Sequence, residues 1–517
     1  MKLKSVNKMF CQCKNEQNFD IQRRDENLKL SESFHDVEVI PTTGETVSTN
    51  EVKGSQISKA VVYDLAANTH ICPVCTGQPG ALPTLSEEVL QQSLLLGKAL
   101  KCKINNPSKF DRKSYFYPDL PMGYQITQFY TPTNGEGEVT FFLDNYTKEK
   151  TVTIREAHME CDTAKMIHIG GEALLDFNRA GTPLVEIVTN PDFTSVDEVI
   201  EFLKELQRIV RYNNIADADL EKGQMRCDVN ISLRKDEKAE YGIRTETKNI
   251  NSFGMIKRAI EFEQARQEKR YAEGKKVDQE TRGRDDTKGE STVMRSKEDA
   301  LDYRYFPEPD MPSLTLDDKT LKRLNDQTIE IPYKTIKEFK EYGFNKEYIN
   351  ALIADKEILT YFNQVMSSFN AKEVDAKQTE DLKAKLIAKR ICGPIIARLN
   401  ENTKNISDLP FTQEMFITFL TSSLPDSQLK LVLDDMLATG KDPGEIIKEK
   451  GFDAPALDDT EIEHIINKVL ADNEDIVNQY KNGKTTTMAF FVGQVMKATG
   501  GKINPQVAQQ MIQKILG

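Results

Sequence analysis

Tryptophan is absent from the 517 residues, and histidine occurs only five times. A mechanism that needs several imidazoles therefore has few candidates. Long apolar runs are missing too. Nothing approaches the roughly 18–20 residues of a membrane helix, and Met1-Lys2-Leu3-Lys4-Ser5 leads into no apolar signal segment. No membrane association is expected, and the cytoplasm is the default compartment. Positive charge is in deficit: the formal net charge is −12. Wrapping of nucleic acid by bulk electrostatics is thereby excluded, and any RNA contact has to be local or shared with a partner. The motifs G-x-x-x-x-G-K-[ST], G-x-G-x-x-G after a strand, and G-x-S-x-G do not occur. P-loop, Rossmann and nucleophile-elbow enzymes are left without support.

What is present fits a soluble globular chain: 38% hydrophobic and 29% charged residues. The length predicts about two to four domains. Thr84-x-x-Glu87 reads as a capping box opening a helix to about Cys102. Residues 124–154 alternate as strands, with turns at Asn134-Gly135 and Asp144-Asn145. Leu184–Val188 is another strand, and Ser195-x-x-Glu198 caps a helix with Val199, Leu203, Leu206 and Val210 on its apolar face. Strands are expected at Cys227–Leu233 and Gly242–Lys248, then a helix from near Ser252 to Gly274. Residues 275–300 read as charged and irregular. From Ile336 onward the pattern is short helices broken at Gly343, Gly393-Pro394 and Asp442-Pro443-Gly444. Sheet signals followed by helix signals predict an α+β fold, not a doubly wound sheet. The expected division is a mixed-sheet domain over 1–295, with a polar insertion at about 14–71 that holds short strands such as Val37–Ile40. A helical domain over 296–405 and a small helical tail domain over 406–517 follow.

Six groups of residues carry candidate chemistry. Cys11-x-Cys13 and Cys72-x-x-Cys75 are two close pairs, the arrangement in which four thiolates hold a tetrahedral Zn²⁺; reduced core thiols are the alternative. His158, Glu160 and Asp162 alternate by two, and on one strand face they suit a hard cation such as Mg²⁺; a solvated polar face is the alternative. Arg226, Asp228, Asn230 and Ser232 share one face of their strand, and Arg244, Glu246 and Lys248 one face of the next. The second strand runs through Asn249, Ile250 and Asn251 to Ser252 at a helix start, where a phosphate is favoured. Lysine and carboxylates beside such a helix suit nucleotide handling; ion pairs on one sheet are the bland reading. The turn at Asp176–Glu186 serves equally as structure or as a binding loop, whereas the aromatic stretch Asp302–Asp310 reads as a rigid linker or a clamp, with structural packing the favoured role.

Several blocks together resemble a known family. Phe110-Asp111-Arg112-Lys113-x-Tyr115-Phe116-Tyr117-Pro118-Asp119, Gly123-Tyr124-Gln125-Ile126-x-Gln128, Asp176–Leu184, Asp302–Asp310 and Phe490–Lys497 look like the B subunit of aspartyl/glutamyl-tRNA(Asn/Gln) amidotransferases. The likeness covers nearly the whole chain outside the insertion. It implies a carbon–nitrogen ligase with glutamine as amido donor, acting on Glu-tRNA(Gln) or Asp-tRNA(Asn). A B subunit of this kind uses ATP and Mg²⁺ to phosphorylate the side-chain carboxylate, and ammonia from a glutaminase A subunit then displaces the phosphate. A small C subunit ties the heterotrimer together. The first domain would be a cradle for this site, zinc structural within it, and the tail would contact tRNA(Gln) or tRNA(Asn). Carried onto this chain, His158, Glu160, Asp162, Asp228 and Lys248 are the expected catalytic residues. Arg226, Asn230, Glu246, Asn249, Asn251 and Ser252 would hold ATP, and His158 and Glu160 the magnesium. Three departures stand out: Met1 falls inside the family's opening strand, whose Glu and His are missing; the family's Glu-Glu-Asp reads Glu160-Cys161-Asp162 here; and an aromatic expected after Glu280-Thr281-Arg282 is replaced near Arg284. They keep a second reading open, a tRNA-binding scaffold without the phosphorylation step.

Overall fold

The computed structural model describes residues 1–15, 67–169, 171–236, 238–285, 290–296, 302–371, 379–402, 404–453, 459–481, 485–499, 503 and 505–516. Most of the expected insertion, with its strand at Val37–Ile40, lies outside the described residues. Those described fall into two units, Met1–Lys334 and Thr335–Gly517. Sheets belong to the first unit and the second is helical, so the fold is α+β.

The first described helix, α1 (Glu87–Ala99), departs from expectation at both ends. Ser86, not Thr84, is its N-cap, and no side chain caps it. The backbone N–H groups of Thr84 and Ser86 instead donate to the carbonyls of Phe10 and Met9 at 3.0 and 2.9 Å. The helix start is thus docked against the first Cys turn. Its end comes at Ala99, ahead of Lys101, which takes a left-handed φ of 54°.

Strands β1 (Asp111–Ser114) and β2 (Tyr124–Thr127) pair antiparallel. Next come β3 (Gly137–Leu143), β4 (Lys148–Cys161), the hairpin β5 (Lys165–Ile169) and β6 (Glu172–Asp176), and β7 (Pro183–Thr189). β4 is the centre of an antiparallel sheet ordered β3-β4-β7. A bulge between Ile154 and Glu156 divides it. Before the bulge Val152 and Ile154 are buried; after it Ala157, Met159 and Cys161 are. One extra residue flips every later side chain to the opposite face. His158 and Glu160 therefore point away from the core.

The apolar stripe of α2 (Val196–Tyr212) covers this sheet, with Leu203, Leu206 and Val210 buried and Val199 packed beside them, as the 3.6-residue spacing predicts. Ser195 accepts from the Glu198 N–H, and Glu198 accepts from the Thr194 N–H at 2.7 Å. A second sheet has the order β11-β10-β9-β8, formed by β8 (Cys227–Ile231), β9 (Thr245–Ile250), β10 (Glu280–Asp285) and β11 (Glu290–Ser296). Between β9 and β10 runs α3 (Phe253–Ala272). Residues 275–300, expected to be irregular, thus contribute two strands. Their charged side chains hid the pattern: Arg282 is drawn inward by Glu280 and the Ser291 hydroxyl. β12 (Phe306–Pro307) adds to β1.

In the second unit, helices such as Lys346–Ile353 and Lys356–Ala371 are short, and Gly343 (φ 69°) and the Asp442 cap separate neighbours as expected. Gly393-Pro394 does not break its helix. Residues Ile391–Ile395 form a π-helical turn there, which absorbs the proline, whose missing N–H would otherwise interrupt the ladder. Among the described residues no helix is long and apolar enough to cross a membrane.

Candidate functional site

The sulfurs of Cys11, Cys13, Cys72 and Cys75 all lie within 4.8 Å of one another. Cys72 and Cys75 are on a tight turn in which Gly77 adopts φ 67°, and a Cβ at Gly77 would come within 2.8 Å of the Pro121 carbonyl oxygen. Only glycine fits there. The Cys72 N–H donates to Cys75 Sγ at 3.2 Å, and the two sulfurs are 3.8 Å apart. Tetrahedral bonds of about 2.3 Å to one zinc ion place sulfurs about 3.8 Å apart, so the group fits that metal. The Cys11 thiol donates to Cys75, and this hydrogen bond, aided by the Lys8 charge, pulls Cys75 down to about 5. Burial pushes Cys13 up to about 12.

The turn after β6 braces this cluster. Gly181 supplies the left-handed φ of 84° that the turn needs, and a Cβ there would lie in ordinary contact, 3.6 Å from Cys75 Cβ. Its carbonyl accepts from the Met9 N–H, and its own N–H donates to the Asp162 carbonyl, at 2.8 and 2.9 Å. The Asn178 side chain accepts from the His70 N–H.

A second cluster faces outward from β4 and β7. Register sets His158 directly opposite Glu186. His158 Nε2 is 3.7 Å from Glu186 and Nδ1 3.7 Å from Glu156. One ligand atom each from His158, Glu160 and Glu186 lies within a 4.8 Å span. His158 Nδ1 is buried without a hydrogen-bond partner among the described residues. Burial alone would lower the His158 pKa, but the carboxylates of Glu156, Glu186 and Glu160 outweigh it and raise the value. Burial raises Glu160 as well. One imidazole and two carboxylates crowded within one span are a donor set that fits a hard divalent cation.

Glu186 is the member that sequence reasoning missed. It sits in the apolar run Leu184–Val188, and only the cross-strand register reveals its partner. Asp162 does not join the group. The strand ends at Cys161, and Asp162 turns inward, accepting from the Thr163 N–H and lying 3.6 Å from Arg179 Nε.

The third cluster lies on β8 and β9. Val229 is buried while Asp228 and Asn230, with Arg226 just ahead of the strand, are exposed. Lys248 Nζ is 3.1 Å from Asp228 and 3.4 Å from Glu246. Burial alone would lower the Lys248 pKa; the two carboxylates outweigh it, so the amine is held as a cation. Thr281 on β10 donates to Glu246 at 2.9 Å. Ser252 caps α3, accepting from the Met255 N–H at 3.2 Å, and Asn251 is exposed beside it. The side chain of Asn249 lies outside the described residues.

Beneath β9 sits a buried network absent from the sequence reading. Thr245 donates to Glu263 and accepts from Gln267, both at 2.6 Å, and Arg266 grips Glu263 with two bonds of 2.7 Å. Short backbone pairings link the second and third clusters. Leu3 and Val185 bond to Pro183 and Met1, and the Lys2 N–H donates to the Gln224 carbonyl, two residues before Arg226. Residues 1–3 thus run between β7 and the approach to β8.

Residues 47–322 match the family model described as GatB/GatE catalytic domain, and residues 369–516 match the one described as GatB domain. The aspartyl/glutamyl-tRNA(Asn/Gln) amidotransferase B subunit of Pseudothermotoga lettingae is 40% identical over 468 residues, 89% of this chain and 95% of its own. The chain belongs to the family of amidotransferase B subunits. Its counterpart in a Thermoanaerobacter strain is 39% identical over 455 residues, covering 87% of this chain and 93% of that one. That of Clostridium beijerinckii is 40% identical over 458 residues, covering 87% and 92%. Every candidate residue of this amidotransferase chain named above, except those of the first fifteen positions, lies inside the catalytic-domain match.

Proposed function

We propose that this subunit activates the side-chain carboxylate of Glu-tRNA(Gln) or Asp-tRNA(Asn) with ATP, so that ammonia can replace the activated oxygen. A carboxylate oxygen attacks the γ-phosphorus, ADP departs, and an acyl phosphate is left. Ammonia then adds to the carbonyl carbon, and inorganic phosphate leaves. A glutaminase A subunit supplies the ammonia, and a small C subunit completes the complex. The observation that carries this reading is the pair of clusters linked through residues 1–3 in a chain of this family: His158, Glu160 and Glu186 in one, Lys248 held cationic beside Asp228 in the other.

His158, Glu160 and Glu186 would hold Mg²⁺, which when bound offsets charge on the phosphate oxygens. Lys248 places a fixed positive charge where the transferring phosphoryl group becomes more negative, and Asp228 and Glu246 hold its amine in position. Arg226, Asn230, Glu246, Asn249 and Asn251 would hold ATP, with its phosphates toward the capped N-terminus of α3, where free N–H groups favour an anion. Ser252 serves there as the cap. Asp162, tied to Arg179, acts by fixing the end of β4. Cys11, Cys13, Cys72 and Cys75 would hold zinc as a structural clasp of the cradle, residues 1–295, while the helical domain and the 406–517 tail contact tRNA. The reaction proceeds in the cytoplasm.

The test is reconstitution with the A and C subunits, ATP, glutamine and either mischarged tRNA. Wild type forms the amidated aminoacyl-tRNA, and Lys248→Ala slows that by about a hundredfold or more while binding tRNA as before. An unchanged rate in Lys248→Ala overturns the assignment.

A further inference from the structure

Beside β12 lies a group of aromatic rings for which carboxylate activation has no use. Phe129 and Tyr305 are stacked, with ring centroids 4.0 Å apart and planes 6° from parallel. Tyr130 meets Phe129 edge-on at 5.1 Å and donates its hydroxyl to the Tyr305 carbonyl at 3.0 Å. Tyr303 meets Tyr305 edge-on at 5.9 Å. Packing does not account for Phe129 and Tyr130, which are 51% and 60% exposed, while Tyr303 and Tyr305 are half-buried beside them. Large rings left in water side by side mark a contact surface.

The frame beneath them is rigid. The Asp111 carboxylate, on a fully buried residue, accepts from the N–H groups of Phe129 and Tyr130 at 2.7 and 3.0 Å. Arg304 takes a left-handed φ of 45°, its N–H held by Asp302 at 3.0 Å. A non-glycine residue adopts that conformation at a cost in free energy, and such strain gathers where a surface has to be presented in one way. Here it brings the tyrosines on either side of Arg304 into one cluster. Arg304 itself is exposed and makes no ion pair among the described residues.

The rings lie within electrostatic reach of the cation cluster. Lys113 Nζ lies 5.0 Å from the Tyr303 ring centre, and its charge acts on Glu160. Tyr305 in turn feels the charges of Glu186 and Glu160.

We propose that Phe129, Tyr130, Tyr303 and Tyr305, with Arg304, form a stacking platform for the unpaired 3′-terminal nucleotide of the aminoacyl-tRNA. The proposal rests on the carboxylate-activating reading, because the amino acid is esterified to the ribose of that nucleotide. When the side-chain acid reaches His158, Glu160 and Glu186, the base cannot be farther away than the ester and sugar span, roughly 10 Å. A platform of rings holds any base by its π-face, and an unpaired guanidinium beside it suits the adjoining phosphate. The adenine of ATP offers the same ring chemistry. It is the less fitting occupant, because the nucleotide-handling residues lie on β8, β9 and α3, whereas the rings lie on the β12-β1-β2 sheet and its flanks.

A tRNA with 2-aminopurine as its 3′-terminal base, titrated with the reconstituted complex, reads stacking with or without turnover. Wild type quenches the fluorescence, Tyr305→Phe keeps the quenching, and Phe129→Leu and Tyr305→Leu lose it. In steady state the two leucine variants raise KM for the aminoacyl-tRNA about tenfold or more, with KM for ATP unchanged. A rise in KM for ATP instead assigns the rings to its adenine, and loss of the A or C subunit from the purified complex assigns them to a protein contact. Either result overturns the proposal, as does undiminished quenching. A wild-type complex that quenches the probe yet forms no amidated product refutes carboxylate activation and leaves the platform standing.

Discussion

Lys8 shows how much one side chain can imply. It is fully buried, yet no carboxylate accompanies it among the described residues. Its amine donates to the carbonyls of His70 and Phe177 at 2.7 and 3.2 Å and lies 3.6 Å from Cys75 Sγ. A buried cation is costly unless an opposite charge offsets it. Four thiolates around one divalent ion leave an excess of negative charge, which Lys8 is placed to balance. Lys8→Met is expected to release zinc to a chromogenic chelator about tenfold faster than wild type. Metal content of the untouched protein is measured first; equal release rates from the two proteins would count against this role. The four cysteines were legible because each pair is close in sequence. Lys8 was not, since its acceptors His70 and Phe177 are far along the chain. Glu186 was hidden for the same reason, as its neighbour His158 is fixed by strand register and not by spacing.

Among the elements, β9 and α3 are joined by the Thr245–Glu263–Gln267–Arg266 network, and this joint carries the strand that presents Glu246 and Lys248. Burial alone would raise the Glu263 pKa; hydrogen bonds from Arg266, Thr245 and Gln267 outweigh it and hold the carboxyl below its ordinary value of 4.5. A depressed carboxyl stabilises the fold fully above that ordinary value, and the contribution fades as pH falls through the lower, folded one. Glu263→Gln is therefore expected to cost about 1–3 kcal/mol at neutral pH. The gap between the two melting curves should close as pH drops below 4.5. A gap that persists in acid would rule out an ionic origin. Elements with clean periodicity, such as α2, could be read from sequence alone. β10 and β11 could not, because β10 pairs with Glu246–Lys248 of β9, distant in sequence, and carries β11 on its other edge, which overrides their charged composition. The α1 boundary was misplaced because Thr84 and Ser86 bond across to another segment.

For the whole molecule, the order of signals sufficed: strands early, helices late. Each unit has a core of its own, one built around Met159, Val185 and Leu206, another in the second unit around Ile466, Phe491 and Ile512. A fragment ending at Lys334 is expected to take up as much zinc as the full chain and melt cooperatively by calorimetry, while its affinity for tRNA falls below that of the full chain in a filter-binding titration. Undiminished affinity would show that residues 335–517 take no part in holding the nucleic acid.

One arrangement bears on how the protein is made. Lys2, Leu3, Lys4 and Met9 donate to the carbonyls of Gln224, Pro183, Ile215 and Gly181. During translation these early residues leave the ribosome roughly 170–220 positions ahead of their partners. At about 5–20 residues per second they wait on the order of ten seconds or longer. Throughout that interval they lack these partners and remain a partly apolar segment, so slower elongation lengthens the time in which nascent chains can be captured by chaperones or by one another.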